Sequence, residues 1–203
     1  MKGLIFDFDG TLCNSQHAHK ESLKDALRSM DYVWASDFEE CYEKFKSKKT
    51  IEKLRQFSEL SLISEHDIAR LNEKKQDFIV KRISFECLNE NLVTLLTKLK
   101  KDNFKFAIAS DASKASIIAF LKANQVDFMF DQIVTSEDVG GRTKPSPEIY
   151  NLTIQLLGIK PDLINAFEDT DEGFSSAKLA GIKVHLCTYF SLHSILEKVI
   201  EEI

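Results

Sequence analysis

Apolar residues gather into five short runs along this chain: Gly3 to Asp7, Lys105 to Ala109, Gln132 to Val134, Ile164 to Phe167 and Ile182 to Leu186. Each is rich in β-branched or aromatic residues and too short for a helix, so each predicts a buried β-strand. Between the later runs the apolar period lengthens to that of a helix, over Ser113–Lys122, Pro147–Leu157 and Gly173–Leu179, each preceded by a polar or proline-containing turn able to cap it. Leu92, Leu95, Leu96 and Leu99 form a further amphipathic stripe ahead of the second strand. Strands that alternate with helices predict an α/β fold, a Rossmann-like parallel sheet with helices on both faces.

Residues 15 to 85 break this alternation. Leu23, Leu27, Tyr42, Phe45, Ile51 and Leu54 recur at helical spacing there, with no comparable strand. The expected organisation is a core formed by residues 1–14 and 86–203, interrupted by a helical insert at 15–85.

Composition narrows the class of molecule. Hydrophobic residues make up 43% and charged residues 29%, with 7 Gly and 3 Pro, which is the balance of a packed domain. A net charge of −5 supplies no global field for nucleic acid. Cys13, Cys41, Cys87 and Cys187 are far apart and form no C-x-x-C pair, so neither a zinc site nor a disulfide framework is expected, and reduced thiols in a cytoplasmic protein are. No apolar run reaches the roughly 18 residues of a membrane span, and the first run, broken by Asp7 and followed by Asp9-Gly10, does not read as a signal peptide.

Ligands of an open parallel sheet bind beyond the carboxyl ends of its strands. The residues expected there are Asp7 and Asp9 after the first strand, Ser110 and Asp111 after the second, Lys144 after the third and Glu168-Asp169 after the fourth. Several carboxylates suit a hard divalent cation, and a cation with a lysine neutralises phosphate. An aspartate inside an apolar run needs such a partner. Ser110 taken alone reads as an ordinary helix cap, and Asp171 and Glu172 read as complements to a helix dipole.

The stretch Phe6-Asp7-Phe8-Asp9-Gly10-Thr11-Leu12 resembles the first motif of the haloacid dehalogenase superfamily. Ile108-Ala109-Ser110, Lys144-Pro145-Ser146-Pro147-Glu148-Ile149-Tyr150 and Phe167-Glu168-Asp169-Thr170 resemble its later motifs, in order, and the last part is similar to the phosphatase and beta-phosphoglucomutase branch. The resemblance implies that Asp7 is the nucleophile and a metal ligand, and that Asp9 acts as acid and base while its carbonyl binds the cation. It implies that Ser110, Asp111 and Lys144 meet the phosphate, and that Asp169, with Glu168, completes the metal site. Magnesium is the expected ion, with manganese as a substitute. In the insert, His19, Lys48 and Lys49 are candidate contacts to substrate. His19 otherwise reads as structural, and the run Lys46-Ser47-Lys48-Lys49 as a solvated helix end.

The function expected is hydrolysis of a small phosphorylated metabolite through an aspartyl-phosphate. A sugar phosphomutase using the same aspartate is the alternative, although Thr50 stands where a mutase arginine would be expected. A non-catalytic phosphate-binding or regulatory protein is the alternative from another class. Asp111 and Thr170 depart from the commoner residues of the motifs, and the oligomeric state is left open.

Overall fold

The computed structural model describes residues 1–32, 42 and 63–202. The candidates Lys48 and Lys49, together with Cys41, Phe45, Lys46, Thr50, Ile51 and Leu54, lie outside the described residues.

The five apolar runs form one sheet. Its strands are β1 (Gly3–Phe6), β2 (Lys105–Ser110), β3 (Gln132–Thr135), β4 (Ile164–Glu168) and β5 (Lys183–Leu186). They lie in the order β3-β2-β1-β4-β5, and every pairing is parallel. The described helices are α1 (Gln16–Arg28), α2 (Glu65–Ile83), α3 (Glu90–Lys101), α4 (Lys114–Ala123), α5 (Glu148–Leu157), α6 (Asp171–Leu179) and α7 (Leu192–Glu201). This is the α/β, Rossmann-like architecture that the alternation of periods predicts. The strand ends differ from the apolar runs by one residue, because the ladder is set by pairing rather than by side-chain character.

A parallel sheet covered on both faces needs apolar residues at every position of its central strand. All four residues of β1 are buried accordingly. Alternation then sorts the side chains. Ile5, Ala107, Ala109, Ile164 and Ala166 build an aliphatic core with Ile149, Tyr150 and Leu157 of α5 and Ala177 of α6. On the other parity, Phe6 stacks on Phe167 at 5.3 Å and meets Phe106 edge-on at 6.2 Å, while Phe8 meets Phe120 of α4 edge-on at 5.2 Å. Asp7 and Glu168 continue the parity of Ile5 and Ala166, which directs them to the side that α5 covers.

By contacts the chain divides into two compact units, Met1–Ser15 with Ile83–Ile203, and Gln16–Arg82. The second has its own small core of Leu23, Ala26 and Leu27 from α1, Leu71 from α2, and Tyr42. Asp25 and Arg82 form an ion pair within it. No helix among the described residues is long and apolar enough to cross a membrane.

Candidate active site

β1 delivers Asp7 to the carboxyl edge of the sheet, and its backbone N–H donates to Phe167 O at 2.9 Å, so the β1–β4 ladder runs up to the site itself. The chain then turns back tightly: Leu12 N and Cys13 N both donate to Phe8 O, and Gly10 N donates to Cys13 O. Gly10 has φ +82°, and a Cβ on it would come within 2.0 Å of Asp169 Oδ2, so only glycine permits this approach. β4 delivers Glu168 and Asp169 beside Asp7, with Cys187 N donating to Glu168 O at 2.7 Å. Thr170 caps α6 by accepting from Gly173 N at 3.1 Å.

Lys144 draws the carboxylates together. Its ammonium donates to Asp7 Oδ1 at 2.5 Å, to Glu168 Oε1 at 2.5 Å and to Ala109 O at 2.9 Å, which uses all three of its hydrogens. Side-chain exposure is 5% for Lys144, 8% for Asp7 and 0% for Glu168, so the pairs are shielded from solvent screening. The peptide bond from Lys144 to Pro145 is cis.

Ligand oxygens of Asp7, Glu168 and Asp169 all lie within 4.8 Å of one another. One ammonium therefore faces several carboxylates, and the imbalance shows in their acidities. Burial raises Asp7 above the usual aspartate range, against the opposing pull of Lys144, and Asp9 adds to the rise. Burial and the charge of Asp7 push Glu168 up to about 8 and Asp169 to about 7. For Lys144, burial disfavours the charge, but Asp7 and Glu168 outweigh it and hold the amine protonated. The group is short of positive charge.

The donor set fits a hard divalent cation. All three side chains offer oxygen. Glu168 Oε2 is buried with no hydrogen-bond partner, a costly state for a carboxylate oxygen that a cation or its water would relieve.

The other sequence candidates are placed as follows. Ser110 is buried at the end of β2, where its Oγ accepts from Ala112 N at 3.2 Å. Asp111 is exposed and turns its carboxylate to the backbone N–H of Lys144, at 3.2 and 3.3 Å from its two oxygens, so it braces the lysine loop. Asp9 is half-buried beside Gly10 and forms a bridge with Cys13. His19 lies on α1, in the Gln16–Arg82 unit. Two residues escaped the sequence reading. Tyr150 donates its hydroxyl to Glu168 Oε1, and Gly173 lies so near that a Cβ there would meet Glu168 Oε2 at 2.0 Å. Tyr150 closed the motif that begins at Lys144 and lay in the helical pattern of α5, but carried no role of its own there. No signal in a single sequence marked Gly173.

Residues 4–187 match the family of haloacid dehalogenase-like hydrolases. The chain belongs to that family. Within it, the similarities fall in the phosphatase and beta-phosphoglucomutase-like branch. Protein CbbY of Rhodobacter capsulatus is 28% identical over 92% of this chain and 85% of its own length. A phosphorylated carbohydrates phosphatase of Thermotoga maritima is 27% identical over 90% and 83%. Among solved structures, CbbY from Rhodobacter sphaeroides in complex with xylulose-(1,5)-bisphosphate superposes with a TM-score of 0.74 at 23% identity, covering 93% of this chain and 88% of that one. At that identity the likeness is one of fold.

Proposed function

We propose that this hydrolase is a magnesium-dependent phosphatase of a small phosphorylated metabolite, acting through a phosphoryl group carried on Asp7. The observation that carries the reading is the convergence of Asp7, Glu168 and Asp169 around Lys144 at the sheet's carboxyl edge. The family and the phosphatases among its relatives support it.

In this reading the Asp7 carboxylate attacks phosphorus, and the bond from phosphorus to the leaving oxygen breaks. Asp9 gives its proton to that oxygen, then takes one from the water that hydrolyses the aspartyl-phosphate and restores Asp7. Lys144 holds Asp7 in place and offsets charge as phosphate arrives. Ser110, through a hydroxyl proton not engaged by the Ala112 N–H, donates to a phosphoryl oxygen. A divalent cation held by Asp7, Glu168, Asp169 and the Asp9 carbonyl would neutralise the transferring group; magnesium suits oxygen ligands, and manganese substitutes.

Phosphate release across sugar, polyol and nucleoside phosphates, with and without magnesium, tests this. Magnesium-dependent release from one compound supports the phosphatase. Isomerisation of a sugar phosphate without net release would replace it with the phosphomutase reading. A folded protein that binds phosphate and turns over none of the compounds would replace it with a non-catalytic binder.

A further inference from the structure

Tyr150 lies in the first turn of α5, fully buried. Its hydroxyl donates to Glu168 Oε1 at 2.5 Å, and its ring centre is 5.4 Å from the Lys144 ammonium. Glu168 Oε1 thus receives two donors, Tyr150 and Lys144, which fills the two lone pairs of one oxygen. Oε2 receives none. The last torsion of a glutamate is broad and roughly two-fold, so a single donor leaves the carboxylate free to swing. Two donors on the same oxygen fix its rotation, and the close Gly173 backbone closes the other side.

We propose that Tyr150 is a positioning residue of the cation centre: by holding Glu168 through Oε1, its hydroxyl reserves Oε2 for the cation or a water bound to it. The role rests on reading the acidic cluster as a cation site. It assigns to the tyrosine a task that neither its burial nor its place in the aliphatic core requires, since a phenylalanine would fill the same space.

Tyr150→Phe keeps the ring under Lys144 and removes one hydroxyl. Titration calorimetry with magnesium alone is expected to show binding weakened on the order of 10- to 100-fold, the usual effect of removing a group that orients a metal ligand. The magnesium concentration for half-maximal turnover should rise by the same factor, while the substrate KM at saturating magnesium stays constant. A merely structural tyrosine would not produce that split. Equal magnesium affinity in folded wild type and Y150F overturns the role of Tyr150 and leaves the phosphatase reading standing. Absence of magnesium binding to the wild type overturns both. Should Y150F not fold, Tyr150→Met, which fills the space with a flexible apolar chain, is expected to show the same loss, and unchanged affinity in it overturns the proposal.

Discussion

Asp7 is the residue on which the proposed chemistry and the electrostatics of the site meet. It is buried and bonded to Lys144, and its pKa is raised by burial against the pull of Lys144, while the backbone N–H of Asp7 keeps the ladder to Phe167 O whatever its side chain carries. Asp7→Asn is therefore expected to lose at least about three orders of magnitude in turnover, as removal of a nucleophile does. The fold should survive, because the amide occupies the same volume. Retained phosphate release would refute the nucleophile assignment, and circular dichroism would establish that the protein is folded. Where these side chains lie was legible beforehand. An aspartate that interrupts an apolar run announces a site, and the spacing of Lys144 and Asp169 from their strands places them at the same edge. The orientation of neighbouring side chains was not legible. That the Asp111 carboxylate accepts from the Lys144 N–H, for example, was not foreseen. Loop geometry between β3 and α5 decides what lies within its reach, and residue order does not encode that geometry. Tyr150 was hidden for a related reason: helical periodicity identifies a buried face but not which polar atom that face meets.

The strands were easier to read than their closures. Apolar runs mark β2 and β3, but what secures their junction is Asp131, just ahead of β3. Its N–H donates to Phe106 O at 2.8 Å, and its carboxylate accepts from Phe106 N at 2.8 Å and from Lys100 of α3 at 2.5 Å. The side chain thereby extends the ladder by one partner and ties a helix to it. Burial works against the Asp131 charge, but the hydrogen bonds from Lys100 and Phe106 outweigh it and lower the acid's pKa from 3.8. A carboxylate lowered on folding stabilises above its unfolded value and loses that contribution as pH falls through the folded one. Asp131→Asn is accordingly expected to be less stable than the wild type above the ordinary aspartate pKa, with the gap closing as pH falls through the lowered one. Denaturant melts of both proteins at a series of pH values from neutral down through the acid range would measure it, and a gap that does not narrow on acidification would show that the charge is not responsible.

Across the assembled core, the acidic cluster makes stability depend on what fills it. Glu168 and Asp169 bind protons in the folded chain at pH values where the unfolded chain has released them, with folded values of about 8 and about 7. Without cation, stability should therefore fall as pH rises from about 5 to 8, because the folded state is the one that must give up protons. A cation replaces those protons, so magnesium is expected to raise the melting temperature more at pH 8 than at pH 6. At a hundred times the dissociation constant the gain is about 2.7 kcal/mol. Asp169→Asn should reduce it at both pH values. Calorimetric melts with and without magnesium would decide, and a larger gain at pH 6 would contradict the assignment of these residues as ligands.

The place of β1 carries one more consequence. It is the middle strand, and its partners come from far along the chain: Gly3 pairs with Lys105 on one side and with Ile164 on the other. Contacts of such sequence separation are slow to form, since a long loop must close before either ladder stabilises it. During synthesis at roughly 5–20 residues per second, β1 would wait several seconds or more with its apolar side chains unmatched before β4 emerges. The segment that holds Asp7 is thus one that needs protection on a nascent chain, and the site at its end is complete only after the sheet has closed around it.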